Sequence, residues 1–253
     1  SLASLKALRG GSRKKAAGIF AGFGNPLLEG TRKTASISSV LRFAGSLADV
    51  EKVRQMEPLP SSEEELRVMA RTLGADAATL HLGPEATERR VKGMDLSDTR
   101  VLAFATHGLL AGTLKGVLEP GLVLTPPETA SEIDDGYLSA GEVARLKLNA
   151  DWVILSACNT AAADGTPGAE GLSGLARAFF YAGSRSLLVS HWPVLSEAAR
   201  QLTTRMLKEA RDSTVGKAEA LRRSMLALMD PSQEDYLSHP MFWAPFTVVG
   251  EGG

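Results

Sequence analysis

The residues best suited to covalent chemistry are one histidine and the chain's single cysteine, and each directly follows a short apolar run. His107 follows the run from 101 to 106, and Cys158 follows the run from 152 to 157. A thiol becomes a strong nucleophile when a neighbouring base removes its proton. An imidazole can accept that proton and later give it to a leaving amine. The two residue types therefore predict nucleophilic catalysis, with Cys158 as the nucleophile and His107 as the base.

Each of these residues alone also has a structural interpretation. A free cysteine often packs as a small hydrophobic group, and a histidine in a loop is often held by ordinary hydrogen bonds. Their joint placement favours the catalytic interpretation, because both follow candidate strands and His107 precedes Cys158 by 51 positions. A histidine about 50 residues before the nucleophile is one of the spacings that catalytic Cys–His pairs use.

The glycine after the histidine suggests a second element of the same chemistry. Gly108 has no Cβ, so its backbone N–H can approach a substrate carbonyl closely. Together with the N–H of Cys158, it would form an oxyanion hole for a tetrahedral intermediate.

The apolar runs that precede both residues indicate buried strands of a parallel sheet, since such strands are apolar on both faces. Chemistry gathers just beyond the carboxyl ends of such strands. Candidate strands alternate with helices along the chain, which is typical of a three-layer α/β sandwich around a mostly parallel sheet. The other predicted strands cover residues 18–24, 78–82, 121–125, 186–190 and 242–249. The main predicted helices cover residues 61–74, 84–92, 172–182, 196–211 and 215–229.

Two of the helix starts carry capping signals. Ser61 and Ser62 precede the acids at 63–65, so a serine hydroxyl is predicted to cap that helix while the acids meet its positive end. Ser139 with Glu142 three residues later predicts a capping box.

Composition bounds the remaining possibilities. The chain of 253 residues is 44% hydrophobic and 23% charged with a formal net charge of −1, which is ordinary for a globular protein and gives no global field for nucleic acid. One cysteine rules out an internal disulfide framework and fits a reducing cytoplasm, and no apolar run is long enough to cross a membrane. Four scattered histidines show no metal-ligand spacing, and the Gly-rich nucleotide motifs and the nucleophile elbow are not present. We expect one domain over residues 18–253 behind a lead-in at 1–17, and we expect the chain to be a fragment of a larger protein.

Several ordered motifs resemble the CHAT-domain peptidases, bacterial relatives of caspases and separases. These motifs lie at residues 104–108, 136–139, 155–160, 171–179, 190–194 and 239–244. The resemblance extends over nearly the whole chain from about Gly18. It implies the caspase-haemoglobinase fold and a catalytic dyad of His107 and Cys158. It also implies endopeptidase activity through an acyl-enzyme, without a metal or an organic cofactor.

The same resemblance implies partners. CHAT domains usually follow helical repeats that sense a signal, often in antiphage or cell-death systems, so we expect a protein substrate and an activating sensor domain. The loops at 126–137 and 161–171 are the candidate switch segments, and we expect the isolated domain to have low activity. The alternative is a catalytically silent domain that only binds peptides. The intact set of His107, Gly108 and Cys158 argues against that alternative.

Substrate specificity is the least constrained prediction. Ser156 stands where caspases carry Gln, and Asn159 follows the cysteine, so the caspase demand for aspartate is not transferred. By resemblance, the residues expected to line the substrate groove are Asn25, Ser156, Ser190, His191 and Trp192. Trp192 packing on the sheet rim is the alternative for that residue, and His81 and His239 are expected to be structural. The primary pocket would be built from residues 25–28, from Ser156, and from Ser190 with Trp192; none of these is charged, so the sequence favours a neutral residue before the scissile bond. A basic residue there would need Glu29, Asp134 or Asp135 to fold into the pocket.

Overall fold

Two sheets organise the computed structural model, which describes residues 16–30, 47–114, 117–156, 174–192, 194–230 and 235–252. The strands are β1 Gly18–Pro26, β2 Leu80–Gly83, β3 Thr99–Ala105, β4 Gly108–Leu109, β5 Gly121–Val123, β6 Tyr137–Ser139, β7 Trp152–Leu155, β8 Ser186–Ser190 and β9 Phe246–Gly250. The central sheet has the order β2-β1-β3-β7-β8-β9, and all its neighbouring pairs are parallel except β8 with β9. Strands β4, β5 and β6 form the smaller antiparallel sheet.

The inner strands β3, β7 and β8 of the central sheet are buried on both faces. In β3, Leu102 and Phe104 face one hydrophobic core, whereas Val101, Ala103 and Ala105 face the other. All four residues of β7 are buried as well. Burial on both faces explains why these strands read as continuous apolar runs rather than as alternating patterns.

Helices cover both faces of the central sheet. They are α1 Val50–Arg54, α2 Ser61–Leu73, α3 Glu88–Gly93, α4 Ala140–Val143, α5 Gly174–Ala182, α6 Ser196–Glu209 and α7 Lys217–Leu228. Buried residues of α2, α6 and α7 pack on one face. Buried residues of α3, α4, α5 and the small sheet pack on the other. The predicted three-layer sandwich with a mostly parallel sheet is thus confirmed.

Two local details differ from the sequence-based expectation. The N-cap of α2 is Pro60, with no side-chain cap, so the predicted serine cap is wrong. The Ser62 hydroxyl instead accepts the backbone N–H of Asn25 at 2.8 Å and donates to the Leu59 carbonyl at 2.7 Å, which ties α2 to the end of β1. The last strand begins only at Phe246, because residues 240–242 form a 3₁₀ turn. The capping box at Ser139 is present as predicted.

Candidate active site

The paired strands β3 and β7 lead toward the two candidate catalytic residues. Phe104 of β3 is the register partner of Leu155 of β7. His107 lies three residues after Phe104, and Cys158 lies three residues after Leu155 in the sequence. Cys158 itself lies outside the described residues, which end here at Ser156, just after β7.

The ring of His107 is held by a backbone carbonyl. Its Nε2 lies 2.8 Å from the carbonyl oxygen of Glu57, in the segment between α1 and α2. A carbonyl oxygen can only accept a hydrogen bond, so Nε2 carries the proton and donates it. In the neutral ring, the lone pair is then on Nδ1. The side chain is half-buried and keeps one edge toward solvent.

The backbone N–H of Gly108 lies outside the hydrogen-bond ladder of the small sheet. The Val123 N–H donates to the His107 carbonyl at 2.9 Å, and Gly108 stands opposite Leu122 in the register. In an antiparallel ladder these bonded pairs alternate with non-hydrogen-bonded pairs, and Gly108–Leu122 is one of the latter. The Gly108 N–H therefore points away from β5, as an oxyanion donor requires.

The end of β3 is also fixed to the small sheet by a side chain. The buried Thr106 hydroxyl donates to the Val123 carbonyl. This bond and the Val123–His107 backbone bond act on consecutive residues, so β5 positions both sides of His107.

A cavity of about 110 Å³ opens beside His107, between the first turns of α2 and α6 and the carboxyl ends of β3, β7 and β8. Its polar lining consists of Ser61, Ser62, Glu65, Thr106, His107, Ser156, Ser190 and Ser196. Its apolar lining consists of Leu59, Ala105, Val194, Ala199 and Phe246.

Glu65 is the acidic group of this cavity. It is only 4% exposed, and its carboxylate is hydrogen-bonded by the Ser156 hydroxyl and lies 3.5 Å from the Thr203 hydroxyl. Burial raises the pKa of Glu65 to about 7, although the two hydroxyls and the charge of Arg200 act in the opposite direction. Arg200 is paired with Glu197, and Glu65 forms no ion pair with any other residue that the structure describes.

The predicted groove residues divide into two groups. Ser156 and Ser190 line the cavity together with His107. Asn25, His191 and Trp192 are not part of its lining. The Asn25 amide donates to Glu63 at 3.0 Å, and the half-exposed Trp192 indole donates to the Met241 carbonyl at 3.1 Å, on the rim of the sheet.

Glu65 is not singled out in the sequence analysis, because the acids at 63–65 are explained there only by the positive end of the helix dipole. The helical spacing held a signal, since Ser62, Glu65, Leu66 and Met69 fall on one face of α2 and all four are buried. An acid on the core face of a helix indicates a buried, specific role.

Glu29, Asp134 and Asp135, the acids named for a basic specificity, do not line this cavity. Asp135 is buried where it accepts the N–H groups of Ala48 and Tyr137, and its own N–H donates to Glu88. Burial raises the pKa of Glu88, whose carboxylate pairs with Lys92. The switch candidate at 126–137 is therefore held by a buried charge cluster, whereas the one at 161–171 lies outside the described residues.

The two histidines expected to be structural, His81 and His239, both contact protein groups. His81 stacks on Phe23 with ring centroids 4.7 Å apart, and His239 Nδ1 accepts the Met241 N–H at 3.2 Å. Within the described ranges, no three His, Cys, Asp or Glu side chains are grouped as a metal site requires. No described helix has both the length and the apolar character needed to cross a bilayer.

Comparison with known proteins gives relatives for this chain. It is 28% identical over 223 residues to tetratricopeptide repeat protein 28 of Mus musculus and 27% identical over 222 residues to the Homo sapiens protein of the same name. Each match covers 76% of this chain but only 9% and 8% of those relatives, so the chain spans less than a tenth of their length.

Among solved structures, the Arg specific cysteine proteinase gingipain R has a similar fold. The TM-score is 0.51 at 13% identity, over 94% of this chain and 46% of that one. This likeness confirms the caspase-haemoglobinase fold. The sequence model of the CHAT domain matches residues 2–251, which is nearly the whole chain. The chain therefore belongs to the CHAT-domain family, as its motifs predict.

Proposed function

We propose that this chain is a cysteine endopeptidase that cleaves a protein partner with a Cys158–His107 dyad. The observation that carries the proposal is the setting of His107. Its ring is fixed through Nε2 with Nδ1 left as the base, at the end of a strand paired with the one that leads to Cys158. His107 and Cys158 each follow by three positions one member of the register pair Phe104–Leu155. Because neighbouring strands lie about 4.8 Å apart, this equal spacing supports placing the thiol and the imidazole side by side.

The reaction follows from these groups. Cys158 Sγ attacks the carbonyl carbon of the scissile bond while its proton passes to His107 Nδ1. The N–H groups of Gly108 and Cys158 stabilise the oxyanion that forms. When the C–N bond breaks, Nδ1 gives its proton to the leaving amine and a thioester remains. Water then attacks the thioester, loses a proton to Nδ1, and releases a carboxylic acid and the free thiol.

The Glu57 carbonyl has a defined part in this cycle. It accepts the Nε2–H bond throughout, so it keeps the ring in the tautomer whose lone pair is on Nδ1. When the ring becomes positively charged, the same bond becomes charge-assisted and strengthens.

We further propose that an attached sensor gates the peptidase in a bacterial defence or cell-death pathway in the cytoplasm. The names of the two matched relatives state tetratricopeptide repeats, which supports a helical-repeat sensor beside a domain of this kind. The pathway and the location rest on the resemblance of the motifs and on the single cysteine.

The proposal is tested by comparing protein N-termini in cells that overproduce the natural protein containing this chain. We expect new N-termini with the wild type and none with Cys158→Ala or His107→Ala. The double variant should behave as the single ones, because residues of one catalytic unit are strongly non-additive. His239→Asn is the control, since it removes an imidazole but keeps a capping side chain at that 3₁₀ turn. New N-termini that persist in Cys158→Ala would contradict the dyad. If the wild type produces no new N-termini, a silent peptide-binding domain is favoured.

A further inference from the structure

The cavity beside His107 has the polarity of a pocket for one long side chain. Its apolar lining includes Leu59, Val194 and Phe246, whereas a carboxylate and several hydroxyls are its polar groups. Glu65 is almost fully buried and His107 is half-buried, so the carboxylate lies at the inner end and the imidazole at the mouth. A volume of about 110 Å³ is several times what one water molecule needs.

Among the described residues, no Lys or Arg forms an ion pair with the Glu65 carboxylate at the inner end. Two hydroxyls, from Ser156 and Thr203, are its hydrogen-bond partners, and Arg200 is engaged by Glu197. A buried carboxylate without a charged partner is costly, and this cost falls when a cation enters beside it. An uncharged residue at position 65 would avoid this cost. An acid here therefore indicates that a ligand supplies the missing charge.

We infer that Glu65 is a specificity-determining residue and that the cavity binds the basic side chain, Arg or Lys, of the residue before the scissile bond. The inference rests on the proposed function, because the carbonyl that Cys158 attacks belongs to that residue. Ser156, which holds the Glu65 carboxylate, is two positions before Cys158, so the carboxylate and the attacked carbonyl belong to one site.

A basic side chain matches the cavity along its whole length. Its methylene stem packs on apolar surface while its charged end reaches a polar group. The hydroxyls of Ser61 and Ser196 also line the cavity, as does Ser190. This inference replaces the neutral preference suggested by the sequence. That preference was drawn only from residues in the loop after β1 and at the ends of β7 and β8, and so it left out Glu65. An acidic substrate residue would meet Glu65 as a like charge.

The test uses peptidyl acyloxymethyl ketones that differ only in the residue at the cleavage position: arginine, its neutral isostere citrulline, or aspartate. Alkylation of Cys158 is followed by mass spectrometry, and its rate is compared for the wild type, Glu65→Gln and Glu64→Gln. Glu64 is the matched control, because it is the neighbouring acid of α2 and its exposed carboxylate pairs with Arg71. The rate ratio between ketones cancels any overall low activity of the domain.

We expect the wild type and Glu64→Gln to prefer arginine over citrulline by about 30-fold or more, the cost of leaving a buried charge unpaired. In Glu65→Gln that ratio should fall to near one. A wild-type preference for aspartate or citrulline overturns the inference alone, and so does an arginine preference that survives in Glu65→Gln. If no ketone labels Cys158 although the thiol still reacts with a small disulfide reagent, the proposed function is overturned and the inference falls with it.

Discussion

Replacing Glu65 by Gln should stabilise the folded protein at neutral and alkaline pH, although it removes a residue of the proposed binding pocket. Burial raises the pKa of Glu65 from its ordinary value of 4.5 to about 7. The folded state therefore binds this proton more tightly than the unfolded chain does. Stability from the bound proton is fully present below pH 4.5 and is lost as pH rises through about 7.

The size of the effect follows from that shift. At 1.36 kcal/mol for each pH unit, the difference between 4.5 and about 7 corresponds to about 3 kcal/mol of unfolding free energy. Glutamine keeps an amide that can hydrogen-bond with the Ser156 and Thr203 hydroxyls, but it does not ionise. Glu65→Gln should therefore match the wild type near pH 4.5 and exceed it by up to about 3 kcal/mol near pH 8.

Urea unfolding of wild type, Glu65→Gln and Glu64→Gln at several pH values between about 4.5 and 8 measures this difference. Glu64→Gln should follow the wild-type profile, because its carboxylate is exposed. A Glu65→Gln protein that is less stable than the wild type at pH 8, or a difference that does not vary with pH, would refute the raised pKa. If Glu65→Gln is more stable than the wild type and also loses the arginine preference, then Glu65 is retained for function at a cost in stability.

Four further outcomes are expected. Gly108→Val should lower turnover by about 10²–10³-fold with little change in KM, because the side chain obstructs the oxyanion donor. Gly108→Ala should fold normally, since φ at this position is not positive. Normal turnover with a raised KM in Gly108→Val would indicate substrate positioning instead. Thr106→Val should cost about 1–3 kcal/mol in urea unfolding, because it leaves a buried carbonyl without its donor. The control Thr204→Val should cost nothing, since that buried hydroxyl has no hydrogen-bond partner among the described residues, and equal effects would contradict this assignment. Lys92→Met should destabilise the protein by about 3 kcal/mol because it removes the cation that pairs with buried Glu88, and calorimetry showing an unchanged Tm would contradict that role. The chain on its own should cleave peptides slowly until its sensor is present, and full activity of the isolated chain in a peptide assay would exclude gating.

The strands that precede the proposed dyad were predictable because their signal is local. Residues 101–105 of β3 and all of β7 are buried on both faces, so each reads as an uninterrupted apolar run. Ser139 and Glu142 gave a correct capping box for the same reason, since that motif needs only four consecutive residues. The helix after Pro60 did not follow its local signal, because Ser62 instead accepts a hydrogen bond from β1.

The contacts that set the chemistry were not predictable from residue types. Glu57 contributes a backbone carbonyl to His107 from 50 positions away, and any residue type provides that group. Glu65 meets Thr203 across 138 positions, so its burial depends on how α2 packs against α6. Its place on the core face of α2 was the available sign that this acid differs from its neighbours.

The most direct test of the dyad is the pH dependence of thiol alkylation, which reports one site because the chain has a single cysteine. The rate of iodoacetamide labelling is measured against pH for the wild type, His107→Ala and the control His239→Asn. We expect labelling of the wild type and the control to have its midpoint below about 8.5, the ordinary pKa of a cysteine thiol. His107→Ala should move the midpoint up to that value or above. A midpoint that is the same with and without His107 would contradict the dyad.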